Sequence, residues 1–483
     1  MNPKGIGAVF TPECWADWLI EKGAVYEEWL RGKSICDPAG GGGIFILRLL
    51  HRALRDKVPL KEELLRRLGY VEISSYFCKQ FEDVLEDLPG NKAEFIYRKN
   101  SDIILNAPDR KFDILIGNPP WCNFCDLPED YKKIIKDYFV SYGLSHKNVL
   151  LGASRTDLAA LVLNAALGQM LNPKGKAFFF LPSSLFFGDD ASRGWRRLSA
   201  AGRDFHVSWL YEFTETRVFK GVGTSYCAAG FQVDKKQVFP VRGLRESSGG
   251  WTARLLAPLS TPSDQWVEAA EIRRLSSIKI HIAEHQMPRQ GLNTCGANSS
   301  FIFTDKPDFL PAEYLYPLVS KETWKNKNPE PYRWVFIPYN SVSAKPLLRE
   351  DIEGCRQLRD YLLRHKDKLT QRKGTLIRSA IEKGYWWALL GVGIYSFAPY
   401  KVIWQSYGQK NFNPVILAPY KGTPWQGNQA MHAFIPCRDM DNAERILNDL
   451  RNPDVEKLLK LMNGGGKCNW AQPGKMKKII GAL

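Results

Sequence analysis

The chain contains no apolar run approaching the roughly 18 residues that a membrane-spanning helix requires, which argues against membrane insertion. Its opening, MNPKGIGAVFTPECWADW, has no basic segment followed by an apolar one, so no secretion leader is expected. Cysteine is sparse and unpatterned: ten residues are scattered through 483 without a repeating spacing, as in a protein that keeps its thiols reduced. Cys122 and Cys125 form one C-x-x-C with no second pair and no neighbouring histidines, so no metal site is expected. The glycine-rich stretch DPAGGGG (37–43) lacks the Lys-Ser/Thr of a phosphate loop, since Ile44 and Phe45 follow it, and this excludes a Walker site. No internal repeat is present.

What is present is enough for two cores. A chain of 483 residues with 44% hydrophobic composition exceeds one ordinary domain, and 24% charged residues exclude gross disorder. The net charge of +16 is unevenly placed: residues 1–250 hold 34 Lys+Arg against 30 Asp+Glu, and residues 251–483 hold 33 against 21. A near-neutral half followed by a basic half suits a polyanionic partner for the second, through displacement of phosphate counterions.

The first half alternates strand-like and helix-like segments. SICDP, the stretch ending at Tyr70–Ile73, AEFIYRKNSDII and KFDILIGNPP read as four strands, with GIFILRLLHRAL at helical spacing between the first two. DLAALVLNAALGQML (157–171) reads as a helix stopped at NPKG, followed by the strand KAFFFLP. A helix is expected around GWRRLSAAG, and strands at HVSWLYEF and TSYCAAGFQV. The pattern predicts an α/β fold with a mostly parallel sheet and helices on both faces, whose ligands sit beyond the carboxyl ends of the strands. The Ser/Gly/Pro-rich stretch from about 240 to 265 reads as the inter-domain connection, dividing the chain into 1–245 and 246–483. Beyond it the alternation fades into a mixed α+β texture. A basic stretch (364–378) is followed by an aromatic one (385–407), whose rings are expected to be mostly core.

Asp37, Glu72, Asp102 and Asn118 all fall at predicted strand ends. Four consecutive glycines let the backbone approach a ligand closely, and the helix behind them offers free N–H groups. An Asp ahead of the glycines repels phosphate but suits a cationic or hydroxyl-bearing ligand. Glu72 is placed to take two ribose hydroxyls, and Asp102 to accept from an adenine amino group. In NPPW (118–121) the prolines stiffen the turn. The Asn118 side-chain oxygen and the Pro119 carbonyl can then converge on an exocyclic –NH2. Trp121 offers a flat face to a base, worth roughly 1–3 kcal/mol per stacked base. Helix capping, surface charge and a simple proline turn are the alternative readings of these positions taken singly.

Taken together, GAVFTP (7–12), DPAGGGG and NPPW resemble, in that order, the gamma group of S-adenosylmethionine-dependent DNA adenine-N6 methyltransferases, typified by the TaqI- and Eco57I-like enzymes. The resemblance covers residues 5–235 by motif. It implies a Rossmann-like class I catalytic domain followed by a target recognition domain. The cofactor would be S-adenosylmethionine, touched by Thr11 and Pro12, surrounded by Asp37, Ala39 and Gly41, and held by Glu72 at the ribose and by Asp102 and Ile103 at the adenine. Asn118 and Pro119 would bind the target amino group, Trp121 would stack on a base flipped out of duplex DNA, and Phe219 would close its other face. The second half would carry the DNA contacts, with Arg364, Lys366, Lys368, Arg372, Lys373 and Arg378 as candidates. A prokaryotic or phage protein of the cytoplasm is implied, with a separately encoded restriction endonuclease as an additional partner. Against the usual loop of this family, Gly40 and Gly42 replace Cys and Ser, and the extra glycines are expected to loosen it.

Cytosine-N4 methylation uses Ser where Asn118 stands. RNA-base and protein-glutamine methylation, which share NPPY-type motifs, usually lack so long a basic second half. An inactive methylase fold kept for DNA binding is at odds with intact Asp37, Glu72 and Asn118. A fused nuclease is not expected, because the chain begins near the cofactor motif and shows no P-D…(D/E)-x-K arrangement downstream.

Overall fold

The computed structural model describes residues 9–87, 93–145, 156–188, 190–275, 278, 280–283, 286–320, 323, 330–407, 411–429, 431–463 and 469–482. The chain divides into two compact units, Met1–Arg274 and Leu275–Leu483.

The first unit is built on one large sheet. Its strands are β1 (Ile35–Asp37), β2 (Leu68–Glu72), β3 (Tyr97–Asn100), β4 (Phe112–Gly117), β5 (Leu171–Pro182), β6 (Ser199–Ala200), β7 (Arg203–Phe213), β8 (Tyr226–Val233), β9 (Val241–Ser247), β10 (Gly250–Pro258) and β11 (Trp266–Glu268). Across the sheet the order is β11-β10-β9-β7-β8-β5-β4-β1-β2-β3, with β6 paired to β7. The stretch from β3 to β5 is parallel, and β8 runs antiparallel between β5 and β7. From β1 the chain moves outward to β2 and β3, then returns to β4 on β1's other side. The boundary between β1 and β4 is therefore the switch point at which a doubly wound sheet opens a crevice beyond its strand ends.

Helices cover both faces. They are α1 (Glu13–Lys22), α2 (Val25–Leu30), α3 (Ile44–Arg55), α4 (Glu62–Leu65), α5 (Ser75–Glu86), α6 (Glu129–Ser141) and α7 (Leu158–Ala165). Strand alternation sends Ile114 and Ile116 into the layer with α1 and α3, and Leu115 into the layer with α6 and α7. In α3 the buried Phe45, Ile46, Leu49, Leu50 and Ala53 recur at helical spacing, which is why this segment packs as a helix.

Three expectations are corrected. GWRRLSAAG forms no helix: Trp195–Arg197 is a single 3-10 turn, and β6 and β7 close a hairpin through Ala201 and Gly202, both at positive φ. Two consecutive residues at positive φ make the turn that fits hairpin twist, and Asn164 fixes it by bonding Ser199 O and Ala201 N. The expected connection at 240–265 is mostly sheet, because β9 pairs with β7 and β10 with β9, so the division falls at 274/275 and not at 245/246. Helix α7 ends earlier than expected, in a π-turn at Ala166–Met170, and NPKG lies within β5.

The second unit is mixed α and β, as expected. A four-stranded antiparallel sheet is ordered Arg289–Gln290, His432–Cys437, Tyr400–Gln405, Val415–Leu417. A second sheet joins Ile302–Phe303, Trp334–Phe336 and Leu315–Pro317. The aromatic stretch supplies core, with Trp387 and Trp404 buried. Among the described residues no helix is long and apolar enough to cross a membrane, and no group of His, Cys, Asp and Glu could hold a metal.

Packing across β2, β1 and β4 leaves no room for an added methyl at Gly69, where a Cβ would lie 2.5 Å from the Phe112 ring and 3.1 Å from Cys36 Sγ. Gly69→Ala is expected to destabilise this unit by about 1–3 kcal/mol through overpacking. The urea midpoint of its unfolding transition should fall at unchanged slope, and an unmoved midpoint would contradict the packing described.

Candidate functional site

The loop between β1 and α3 is held from β2. Gly40 N donates to Val71 O (2.9 Å), Gly41 N to Glu72 Oε2 (2.8 Å), and the Tyr70 hydroxyl to Gly41 O (2.6 Å). Gly43 N closes the turn onto Gly40 O at 2.8 Å. A Cβ at Gly40 would lie 2.4 Å from the Tyr70 ring, and one at Gly43 would lie 2.1 Å from the Phe81 ring, with Gly43 at φ +80°. The loosening expected from the additional glycines is therefore absent at Gly40, whose missing side chain is replaced by Tyr70.

This loop walls a cavity of about 310 Å3. Asp37, Ala39, Gly41, Glu72, Asp102, Ile103 and Asn118 all line it, together with Thr11. Among the described residues, three carboxyl groups and no lysine or arginine face it. A phosphate-bearing ligand would meet carboxyl groups and no countercharge from the described lining, whereas a cation with hydroxyl groups would find acceptors. Asp37, 1% exposed, accepts from Ala39 N at 3.2 Å. Burial raises its pKa from 3.8 to about 8, and the nearby Glu72 charge acts in the same direction. Burial also pushes Glu72 upward, opposed by the N–H groups of Ser74 and Gly41. Asp102 accepts from Ile104 N (2.9 Å) and from the Tyr131 hydroxyl (2.9 Å).

Asn118 follows the end of β4, beside Asp37 at the end of β1. The two strands approach so closely here that a Cβ at Gly117 would lie 2.7 Å from Asp37 Oδ1. The Asn118 amide nitrogen donates to Val9 O (2.9 Å) and Thr11 Oγ1 (3.2 Å). Its Oδ1 is shielded from solvent and accepts no hydrogen bond. Leaving such an acceptor bare costs roughly 1–3 kcal/mol. It is the kind of local violation that marks a functional position.

A second cavity, of about 540 Å3, shares Val9, Phe10 and Thr11 with the first, and Pro12, Trp121, Lys220 and Val222 complete much of its wall. Trp121 is partly exposed, and its indole N–H is also unpartnered. Phe219, expected as a free second face for a base, is instead core. It is 2% exposed and packs edge-on against Trp121 (4.9 Å), Phe180 (5.4 Å) and Tyr226 (5.1 Å). Pro119 is buried, and Pro120 is the proline that reaches the first cavity.

Part of the first unit is similar to known proteins. Residues 62–219 match the family described as the Eco57I restriction-modification methylase. Over 220 residues the chain is 25% identical to the type II methyltransferases M.HincII and M.HindII of Haemophilus influenzae. The alignments cover 46% of this chain and 36% and 35% of those proteins, so the chain spans about a third of the curated relatives it matches. Among solved structures, the type IIL restriction-modification enzyme MmeI in complex with DNA superposes with a TM-score of 0.53 at 16% identity, over 88% of this chain and 60% of that one. A DrdV–DNA complex gives 0.51 at 13% identity, over 91% and 50%. These likenesses establish the fold.

The first unit thus gathers most of the site residues expected from sequence around two adjoining cavities. It also uses residues that sequence reading missed. Tyr70 pins the loop, Tyr131 holds Asp102, and Phe77 and Val162 line the first cavity. None stands in a recognisable motif, because each arrives from an element whose pattern reads only as core. In the second unit the basic candidates separate. Arg364, Lys366, Lys368, Lys373 and Arg378 are exposed, whereas Arg372 is 6% exposed and donates to the carbonyls of Thr294, Ala388, Trp386 and Leu369. Arg372 is a structural strut, not a DNA contact.

In the ligand-free protein Asp37 holds its proton up to about pH 8, while an unfolded aspartate releases it near 3.8. Its contribution to stability is full below the unfolded value and is lost as pH rises through the folded one. Buried Asp157, raised to about 7, behaves alike. The melting temperature should therefore decline from pH 5 to 9, and less so in Asp37→Asn. Equal declines in the two proteins would refute the assignment.

Proposed function

We propose that this chain methylates N6 of adenine in duplex DNA, with S-adenosylmethionine as the methyl donor. The observation that carries this reading is Asn118. An amide anchored through its nitrogen, with its oxygen bare, lines the acidic cavity at a strand end and bonds the Val9–Thr11 segment that this cavity shares with the one bearing Trp121. The cofactor fits the first cavity by chemistry: it is cationic, carries ribose hydroxyls and an adenine, and brings no phosphate. Asp37, Glu72 and Asp102 would hold it along the loop, with Ile103 against its ring. When bound it supplies an electrophilic methyl carbon on sulfur.

Asn118 Oδ1 and the Pro119 carbonyl would each accept one hydrogen of the adenine amino group. In free adenine the N6 lone pair is delocalised into the ring and is a weak nucleophile. Two acceptors draw the nitrogen toward a pyramidal geometry and concentrate that lone pair on the face turned to the cofactor. No base need act first, since the N6 proton becomes acidic once nitrogen carries the new bond. Trp121 would stack on the base, which offsets part of the few kcal/mol needed to take it out of the duplex. Catalysis of this kind is chiefly positioning and hydrogen bonding. The relatives named type II methyltransferases, and the likeness to DNA-bound restriction-modification enzymes, support the same reading. A restriction endonuclease of matching specificity is the companion activity it implies.

Asn118→Ala should reduce methyl transfer by at least about two orders of magnitude, a loss comparable to removing one transition-state hydrogen-bond partner. Cofactor affinity, measured by calorimetry, should remain. Transfer to adenine at the wild-type rate in this variant would refute the proposal.

A further inference from the structure

The second unit carries two adjoining concavities that share Asn298 and Asn428. One, of about 280 Å3, is also walled by Ser299, Thr304 and Arg333, and the other, of about 330 Å3, by Gln429. Among the described residues their walls hold amides, hydroxyls and one guanidinium but no carboxylate. That composition repels no anion and offers a cation no compensating negative charge.

The polar groups are presented from fixed backbone. Gln429 N donates to Leu292 O (2.8 Å), Leu292 N to Gly427 O (2.8 Å), and His432 N to Asn428 O (2.8 Å). The Gln290 side chain holds Gln429 O at 2.6 Å. Yet Gln429 Oε1 is shielded and accepts no hydrogen bond, and the exposed Arg333 guanidinium has no ion pair or hydrogen bond among the described residues. Asn298 is oriented through its Oδ1, which accepts from the Thr294 hydroxyl. The helix Arg356–Thr370 borders this wall, with Lys368 bonded to Ser299 Oγ and His365 Nδ1 3.1 Å from Ser300 Oγ.

We infer that this wall reads base edges in a groove of duplex DNA, with Arg333, Gln429 and Asn298 as sequence-determining residues. The exposed cations Arg364, Lys366, Lys373 and Arg378 beside it hold phosphates. The inference rests on the DNA-modifying reading and assigns it the residues that set the target sequence. The Gln429 amide presents one donor and one acceptor, the complement of adenine N7 and N6; Asn298, its oxygen taken by Thr294, presents its amide N–H groups to a base acceptor; and a guanidinium forks onto guanine O6 and N7. Phosphate contacts fix register but carry no sequence information, so the basic stretch alone cannot specify a site.

The test is selection of random duplexes by the full chain, followed by sequencing. Wild type should enrich one motif. Arg333→Ala and Gln429→Ala should each lose the preference at one position and bind the selected duplex about 10-fold or more weakly. Their affinity for unrelated duplex should stay within about twofold, as that binding is carried by phosphates. Lys373→Ala and Arg378→Ala should weaken binding to all sequences alike and flatten its salt dependence. Circular dichroism melts confirm that each variant is folded. An unchanged motif in the Arg333 and Gln429 variants, equal losses on all sequences, or no enriched motif in wild type would overturn the inference. Sequence-selective binding without methyl transfer would instead refute the catalytic reading alone.

Discussion

The two hydrogen bonds from the Asn118 amide nitrogen to Val9 O and Thr11 Oγ1 join positions more than a hundred residues apart in sequence. They decide which way the amide faces. With the nitrogen committed, only the oxygen can meet an incoming group, and a side chain able to donate or accept is reduced to an acceptor. The same bonds hold the Val9–Thr11 segment against the end of β4, where it forms the partition between two cavities. A change at Thr11 would thus act on both cavities together.

Electrostatics makes the first cavity selective. Asp37, Glu72 and Asp102 face a space with no opposing cation among the described residues; burial raises the proton affinity of Asp37 and Glu72, and the Glu72 charge adds to the rise at Asp37. A bound cation relieves that repulsion, and a phosphate would add to it. The parallel β1–β4 pairing creates this contact. It places the carboxylate of one strand end against the backbone of the next, and only a glycine at position 117 leaves room.

In the second unit, the conspicuous charges and the polar groups that line its concavities belong mostly to different residues. The lysines and arginines of 364–378 are conspicuous in sequence, but a long basic side chain can serve as a strut as readily as a contact. Arg372 spends its donors on four backbone carbonyls, and its guanidinium packs near Phe301 (5.7 Å). The amides and hydroxyls that line the neighbouring concavities attract no notice in sequence, because single Asn, Gln and Ser residues are common in any loop.

The sequence by itself determined the α/β alternation, the glycine loop, the acids at strand ends and the Asn-Pro-Pro-Trp turn, because each is written in local period or in contiguous residue types. It also determined that the second half is basic and built differently. Tertiary structure alone decided that Tyr70 fills the space left at Gly40, that Phe219 is core and that Arg372 is buried. It likewise decided that 240–265 extends the sheet. Those outcomes depend on which distant element arrives beside each residue, and no local pattern encodes that. The orientation of Asn118 belongs with them: its identity was legible at once, but the bare oxygen exists only because a segment from near the chain's start occupies the nitrogen.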